Sequence, residues 1–448
     1  MAKKKRTRIA IVADDNTGAT DAAGMLTSYG ARAVLILDPD LLASETSFDG
    51  YDVVVVSTRI RSVDPDEAYR ITRKILEYFH TRDFDVVQLK YCSTFDSTPR
   101  GNIGRSLGAA IDVYKFPSTI VCPALPVNGR TTYMGYHFVN GRLLSESALR
   151  NHPLNPMTDS DLVRWLGLQT NRGVGLINIF TIRKGTAAVR EKRRKLQEEG
   201  MVYHVSDALE IKDIETTVQA YSDVHFLSGG SGVSQALGNF LYSGLEQLNF
   251  SDPLASLPPG LLVVSGSESP AAYAQRQYAK AHGFAEVTVH PLAILKETTT
   301  IDETAERITE LYRRDRKVIL ALEKENGEDV ENVTAEARSL GLSSVETGSL
   351  LGSFLGKTAS KLMNGGEIKR LLVAGGETSG SVCYECGFRA LEVGLNIDPG
   401  VPFCFPVDTT TTGTPAEADE NAPLIVLKSG NFGAEDLYPR TAKLGGAF

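Results

Sequence analysis

The segment Arg8-Ile9-Ala10-Ile11-Val12-Ala13-Asp14-Asp15-Asn16-Thr17-Gly18 changes character halfway along. Its first part is apolar without alternation, as expected of a strand buried on both faces of a parallel sheet. Its second part is polar and turn-forming, and a helix is expected from about Asp21 to Tyr29. The same change recurs down the chain. Ala33 to Leu37, Val53 to Val56, Val86 to Leu89, Thr119 to Cys122 and Val224 to Leu227 are short apolar runs. Each ends in polar, Gly or Pro residues, the last at the Gly-rich turn Ser228 to Gly232. An amphipathic helix is expected over Pro65 to His80.

A chain of 448 residues exceeds the about 250–300 residues at which a single core stops growing. Phe250 to Gly260 carries three prolines and little periodicity, so a linker is placed at residues 248–260. The βα pattern then restarts with Leu261 to Val264, Val318 to Leu322, Leu371 to Ala374 and Ile425 to Leu427. The expected fold is therefore two α/β domains with mainly parallel sheets, residues 1–247 and 261–448, with an active site in the interdomain cleft. No repeat of fixed period is found. The Thr-rich stretch Asp408 to Ala422 reads as a surface loop.

A net charge of −8 argues against a nucleic-acid-binding surface. Five cysteines, an odd and sparse set, do not make a disulfide framework and fit the cytoplasm. The apolar stretch Ile9 to Ala13, closed by Asp14 and Asp15, is too short for a secretory signal. The Lys3-to-Arg8 cluster reads as a solvated tail. No run reaches the about 20 apolar residues of a membrane span. Oligomeric state is left open, homo-oligomer included.

Ligands of α/β sheets bind beyond the carboxyl ends of the strands. In the first domain those ends carry Asp14 and Asp15, then Arg59 and Arg61, then Lys90 with Asp96-Ser97-Thr98-Pro99-Arg100-Gly101-Asn102. Adjacent carboxylates need a partner, although a helix cap is the simpler reading of Asp15. Arg and Lys at strand ends suit a carboxylate ligand, although each alone could be a solvated loop charge. In the second domain the ends are Ser265-Gly266-Ser267, Gly375-Gly376-Glu377-Thr378-Ser379-Gly380 and Lys428-Ser429-Gly430-Asn431. Bare amides at a helix start make an anion site, while plain turn geometry would also account for any one glycine.

Other motifs carry less. Gly352 to Thr358 (GSFLGKT) is one residue short of a phosphate-binding P-loop and has helical spacing. Cys383 and Cys386 lack a second pair for zinc. His137 and His152, flanking one loop, read as structural.

Taken together, VADDNTGATDAAG (12–24), FDSTPRGNIG (95–104), VAGGETSGSV (373–382) with IDPGVP (397–402), and LKSGNFG (427–433) resemble the signatures of the four-carbon acid sugar kinases. YCSTFDSTPRGN (91–102), CPALPVNGRTTYMGYHFV (122–139) and LLSESALRNHPLNPMTDSDLVRWL (143–166) look like its 3-oxo-tetronate kinase branch, from which Leu125 and Val127 depart. The resemblance implies ATP on the C-terminal domain, at Ser265, Gly375, Gly376, Glu377, Thr378 and Gly430. It implies an acid sugar on the N-terminal domain, at Asp14, Asp15, Arg61, Lys90, Asp96, Ser97 and Arg100. On that reading Arg61, Lys90 and Arg100 neutralise the substrate carboxylate, and Asp14 or Asp15 accepts the hydroxyl proton. Mg²⁺ accompanies the nucleotide, with no protein ligand named. The sequence leaves open threonate or erythronate as substrate, and a sugar-acid-binding protein without catalysis. A dehydrogenase would need a G-x-G-x-x-G after a strand, which is missing.

Overall fold

The computed structural model of the chain describes residues 6–44, 46–151, 155–323, 327–409 and 422–445. Most of the Lys3-to-Arg8 cluster, His152 and most of the Asp408-to-Ala422 stretch lie outside them. The described residues divide into two compact units, one ending at Leu248 and the other beginning at Asn249.

In the first unit, strands β1 (Ile9–Ala13), β2 (Ala33–Ile36), β3 (Val53–Ser57), β4 (Val86–Lys90) and β5 (Thr119–Cys122) follow the apolar runs read from the sequence. A three-stranded antiparallel sheet comes next, β6 (Arg130–Tyr133), β7 (Tyr136–Val139) and β8 (Arg142–Leu143). Then come β9 (Gly173–Ile177), β10 (Met201–Ser206) and β11 (Phe226–Gly229). The main sheet is parallel in the order β2-β3-β1-β4-β11-β5-β10-β9. Every β1 residue is wholly buried, as a strand covered on both faces requires.

Helix α1 spans Asn16–Thr27, beginning five residues before the expected Asp21. The cause is local. Asp15 is its N-cap, accepting a 2.8 Å bond from Gly18 N–H, and the polar first turns are buried, which hides the apolar period. Helix α2 (Pro65–His80) matches its expectation, capped by Asp64 with Pro at the first position. Helix α3 spans Asn102–Tyr114.

In the second unit, β12 (Leu261–Ser265), β13 (Ala285–Val289), β14 (Lys317–Leu322), β15 (Arg370–Ala374), β16 (Ala390–Asp398), β17 (Val401–Pro406) and β18 (Leu424–Lys428) are ordered β13-β14-β12-β15-β18-β17-β16. Pairing is parallel except at β17, which runs antiparallel to both neighbours. The stretch Phe250 to Gly260 is no free tether. It carries the helix Ser251–Ser256, Leu257 enters the core of this unit, and the buried Arg370 guanidinium donates to the carbonyls of Leu257, Pro258 and Leu444. Buried carbonyls need donors, and a proline-rich segment supplies few of its own. Gly352 to Thr358 lies within the helix Ser344–Asn364, and Cys383 is a buried thiol in the helix Gly376–Glu385. Among the described residues no helix is long and apolar enough to cross a membrane.

Candidate active site

The carboxyl ends of β3, β1 and β4 lie side by side, with Ala13 paired to both Ser57 and Lys90. That register brings three loops together. Asp14 and Asp15 leave β1, Arg61 leaves β3, and Lys90 and Asp96 leave β4; Asp14, Arg61, Lys90, Asp96 and Asn102 line one pocket.

The Arg61 guanidinium grips Asp14 through two bonds of 2.9 and 3.1 Å, reaches Asp15 at 2.9 Å and stands 4.0 Å from Asp96. Arg61 is therefore the counter-ion of the paired aspartates, rather than a cation free for substrate. Two carboxylates this buried would be costly without it. Burial alone would raise the Asp15 carboxyl. The charges of Arg61 and Lys90, with bonds from Gly18 N–H and the Thr17 hydroxyl, outweigh it and hold the group below its ordinary value. Lys90 differs from Arg61. It is 2% exposed, its ammonium donates to the Tyr91 carbonyl at 3.0 Å, and among the described residues it forms no ion pair. Arg100 is exposed and likewise unpaired among them.

Ser97 is buried and fully committed: its hydroxyl donates to the Phe95 carbonyl and accepts from Trp165 Nε1 and Gln169 Nε2. A hydroxyl has one proton and two lone pairs, so nothing is left for a ligand. Ser97 thus holds the loop, and the contact with substrate expected of it is not offered.

Supporting residues hold these loops, and of their partners the sequence reading said nothing. Phe95 is buried with φ +56°, a left-handed conformation that turns the chain so that Asp96 faces the pocket. The Asn102 amide donates to the carbonyls of Ile60, Arg61 and Val63, tying the Arg61 loop to the start of α3. His137 joins Ser93 O (2.8 Å) to Thr132 Oγ1 (3.0 Å), and burial pushes it down to about 4, so it is neutral at pH 7. These links join segments far apart in the sequence, and spacing carries no sign of them.

In the second unit the ends of β12, β15 and β18 are neighbours, Ala374 pairing with Ser265 and with Lys428. Their turns meet closely enough to require glycine. A Cβ on Gly266 would stand 2.1 Å from Thr378 Oγ1, and one on Gly430 would stand 2.2 Å from Ser267 Oγ. Gly375 (φ +121°) caps the helix Gly376–Glu385 with no side chain, so the first-turn amides of Gly376 and Glu377 keep their capacity for an anion. Thr378 is buried and Glu377 exposed. Lys428, read from the sequence only as part of a turn, is wholly buried, donates to Gly430 O at 3.1 Å and is pulled down to about 7 by burial. This cradle of bare amides beside a lysine fits nucleotide phosphates. Among the described residues no three His, Cys, Asp or Glu side chains are placed to hold a metal ion.

One unit thus sets a buried lysine beside paired aspartates, and the other sets close glycine turns at its strand ends beside another buried lysine. Family models match both units: "Sugar-binding N-terminal domain" matches residues 9–237 and "Nucleotide-binding C-terminal domain" matches residues 262–438. The chain belongs to the four-carbon acid sugar kinase family and matches its 3-oxo-tetronate kinase branch. It is a phosphotransferase acting on a sugar-acid hydroxyl. The 3-oxo-tetronate kinase of Pseudomonas savastanoi pv. phaseolicola is 35% identical, over 98% of this chain and 97% of that protein. That of Salmonella typhimurium is 34% identical, over 97% of this chain and 99% of the relative. A crystal structure from Salmonella typhimurium LT2, provisionally described as a tRNA synthase, matches with a TM-score of 0.78 at 33% identity, covering 97% of this chain and 98% of the other. One from Haemophilus influenzae has a TM-score of 0.71 at 28% identity, covering 96% and 98%.

Proposed function

We propose that the chain transfers the γ-phosphoryl group of ATP to the 4-hydroxyl of 3-oxo-tetronate, giving 3-oxo-tetronate 4-phosphate and ADP. The observation that carries the acid half is Lys90, a buried ammonium beside two aspartates and without an ion pair among the described residues. Lys90, with Arg100 at the rim, takes the substrate carboxylate. Asp14 and Asp15, fixed by Arg61, orient the terminal hydroxyl, and one of them accepts its proton as the new oxygen–phosphorus bond forms and ADP departs. Asp96 completes the wall.

Ser265, Gly375, Gly376, Glu377, Thr378 and Gly430 would hold ATP, which supplies the phosphoryl group. Mg²⁺ would come as an ion carried on the triphosphate, as is usual for a cation held by phosphates and few carboxylates. The cytoplasm belongs to this proposal, on the ground that the five cysteines are an odd and sparse set. Nucleic acid is no part of it, given the net charge of −8.

The test is ADP release with 3-oxo-tetronate, threonate and erythronate in parallel. The proposal expects the highest kcat/KM with 3-oxo-tetronate; a preference for another acid would move the chain within the family. Silence with all three acids, with the acid bound and no ATP-dependent thermal stabilisation, would favour a binding protein. Asp15→Asn should lower kcat by about 10²–10⁴, the usual contribution of a positioned base. Asparagine caps a helix as well as aspartate, so the fold persists. Full turnover in that variant would remove Asp15 from the role and leave Asp14.

A further inference from the structure

Asp21 lies in the second turn of α1, and the mechanism above makes no use of it. It is 3% exposed; the Ser231 hydroxyl donates to its Oδ2, while Oδ1 is enclosed with no hydrogen-bond partner among the described residues. A buried carboxylate oxygen left bare is costly and calls for a reason. Its surroundings supply one. Asp15, Gly18 and Asp21 follow one another at three-residue spacing, along one side of the helix. The Lys90 ammonium lies over the middle position, where a Cβ on Gly18 would come within 2.7 Å of it.

The charges facing Asp21 are Lys90 from β4, Asp15 at the helix start and Arg130 from β6, and the helix Ser231–Tyr242 contributes the Ser231 hydroxyl. Burial raises the Asp21 carboxyl to about 6, against the pull of Lys90, the Ser231 bond and Arg130 and with the push of Asp15. At neutral pH the group is therefore poised close to its change of charge.

We propose that Asp21 is a positioning residue of the sugar-acid site, taking up one proton from solvent when an anionic ligand binds at Lys90. The inference rests on the reading of Lys90 as the carboxylate receptor. A ligand carboxylate there claims the positive field that keeps Asp21 ionised and adds a like charge nearby. Both effects favour the neutral acid. Protonation balances the step as carboxylate plus proton giving carboxylic acid, and it turns the acceptor-only group into a donor able to complete its bonding.

The experiment is calorimetric titration of the whole chain with 3-oxo-tetronate, without nucleotide, in two buffers of different ionisation enthalpy. The wild type should take up close to one proton per acid bound at pH 7, and its affinity should fall up to about tenfold per pH unit above pH 6. Asp21→Asn should bind the acid without proton uptake and with an affinity flat over that range. A wild type that binds without taking up a proton, or an Asp21→Asn variant with unchanged uptake, would overturn the inference. A wild type that does not bind the acid at all would instead overturn the Lys90 reading. Should Asp21→Asn fail to fold, Ser231→Ala makes the same test. Losing the bond that favours the ionised carboxyl should move the midpoint of the affinity profile upward, and an unmoved midpoint counts against the proposal.

Discussion

Arg61 shows what one side chain contributes when two acids share a strand end. Its Asp14 and Asp15 partners are 10% and 17% exposed at the side chain, so its removal strands two carboxylates in a poorly solvated place. Breaking such a pair costs about 3–5 kcal/mol when fully buried, and the 23% exposure of Arg61 places this one toward the lower figure. Arg61→Met should therefore lose about 3 kcal/mol in urea unfolding at pH 7. Asp15 is held below its ordinary 3.8, so its stabilising share is present above that value and lost as pH falls through its lower folded value. The gap between variant and wild type should accordingly narrow in acid. A gap constant from pH 7 to pH 3 would mean that packing, not charge, is at stake. His137 has the opposite chemistry and the same sign. Its folded value near 4 lies below the ordinary 6.5, so its contribution holds above pH 6.5 and disappears as pH falls toward 4. His137→Gln should make the decline of urea midpoints over that window shallower. The sequence reading turned Arg61 toward a substrate carboxylate, whereas the structure pairs it with Asp14 and Asp15. The pairing joins residues 47 apart, and its bidentate geometry depends on Asn102 fixing the loop.

At the scale of elements, the wholly apolar strands were legible, while β9, β10, β13, β16, β17 and the segments between strands were less so. Runs such as Thr119 to Cys122 show themselves because a strand covered on both faces must be apolar throughout. The hairpin β6–β7 went unread because its turn is Met134-Gly135, with φ +52° and +83°, and Met seldom takes that conformation. Asp207, 73 residues further on, makes the turn feasible by accepting from both amides. The glycine turns of the second unit were legible for the reverse reason, since glycine is what remains where backbones must approach closely. Gly430 allows a direct test. A methyl group there meets Ser267 Oγ at 2.2 Å, and Ser269, which donates to Gly430 O at 2.7 Å, limits how the turn can yield. Gly430→Ala should raise the KM for ATP about tenfold, about 1.4 kcal/mol, with the KM for the sugar acid unchanged. Steady-state kinetics with each substrate varied in turn would show it, and an unaltered KM for ATP would take this turn out of the nucleotide site.

At the scale of the molecule, the repeated βα pattern was enough to predict two domains, because each sheet announces itself anew. The join was harder to read. Prolines and weak periodicity marked Phe250 to Gly260 as a tether, yet Leu257 is 8% exposed among the core residues of the second unit, and Phe250 packs against it. Burial there depends on Arg370, more than a hundred residues later, which no local pattern reveals. Since each unit is compact in itself, its stability can be changed separately by what binds to it. A ligand at about 100 times its Kd adds about 2.7 kcal/mol to the unit that holds it, enough to slow amide exchange through unfolding of that unit about 100-fold. In hydrogen-exchange mass spectrometry, 3-oxo-tetronate alone should protect peptides containing Asp14 to Gly18 and Tyr91 to Asn102. A non-hydrolysable ATP analogue alone should protect those containing Gly266, Gly375 to Gly380 and Gly430. The assignment of ligands to units would be reversed by the opposite pattern. It would fail outright if the analogue slowed exchange at Asp14 to Gly18 and left the glycine turn at Gly376 as it was.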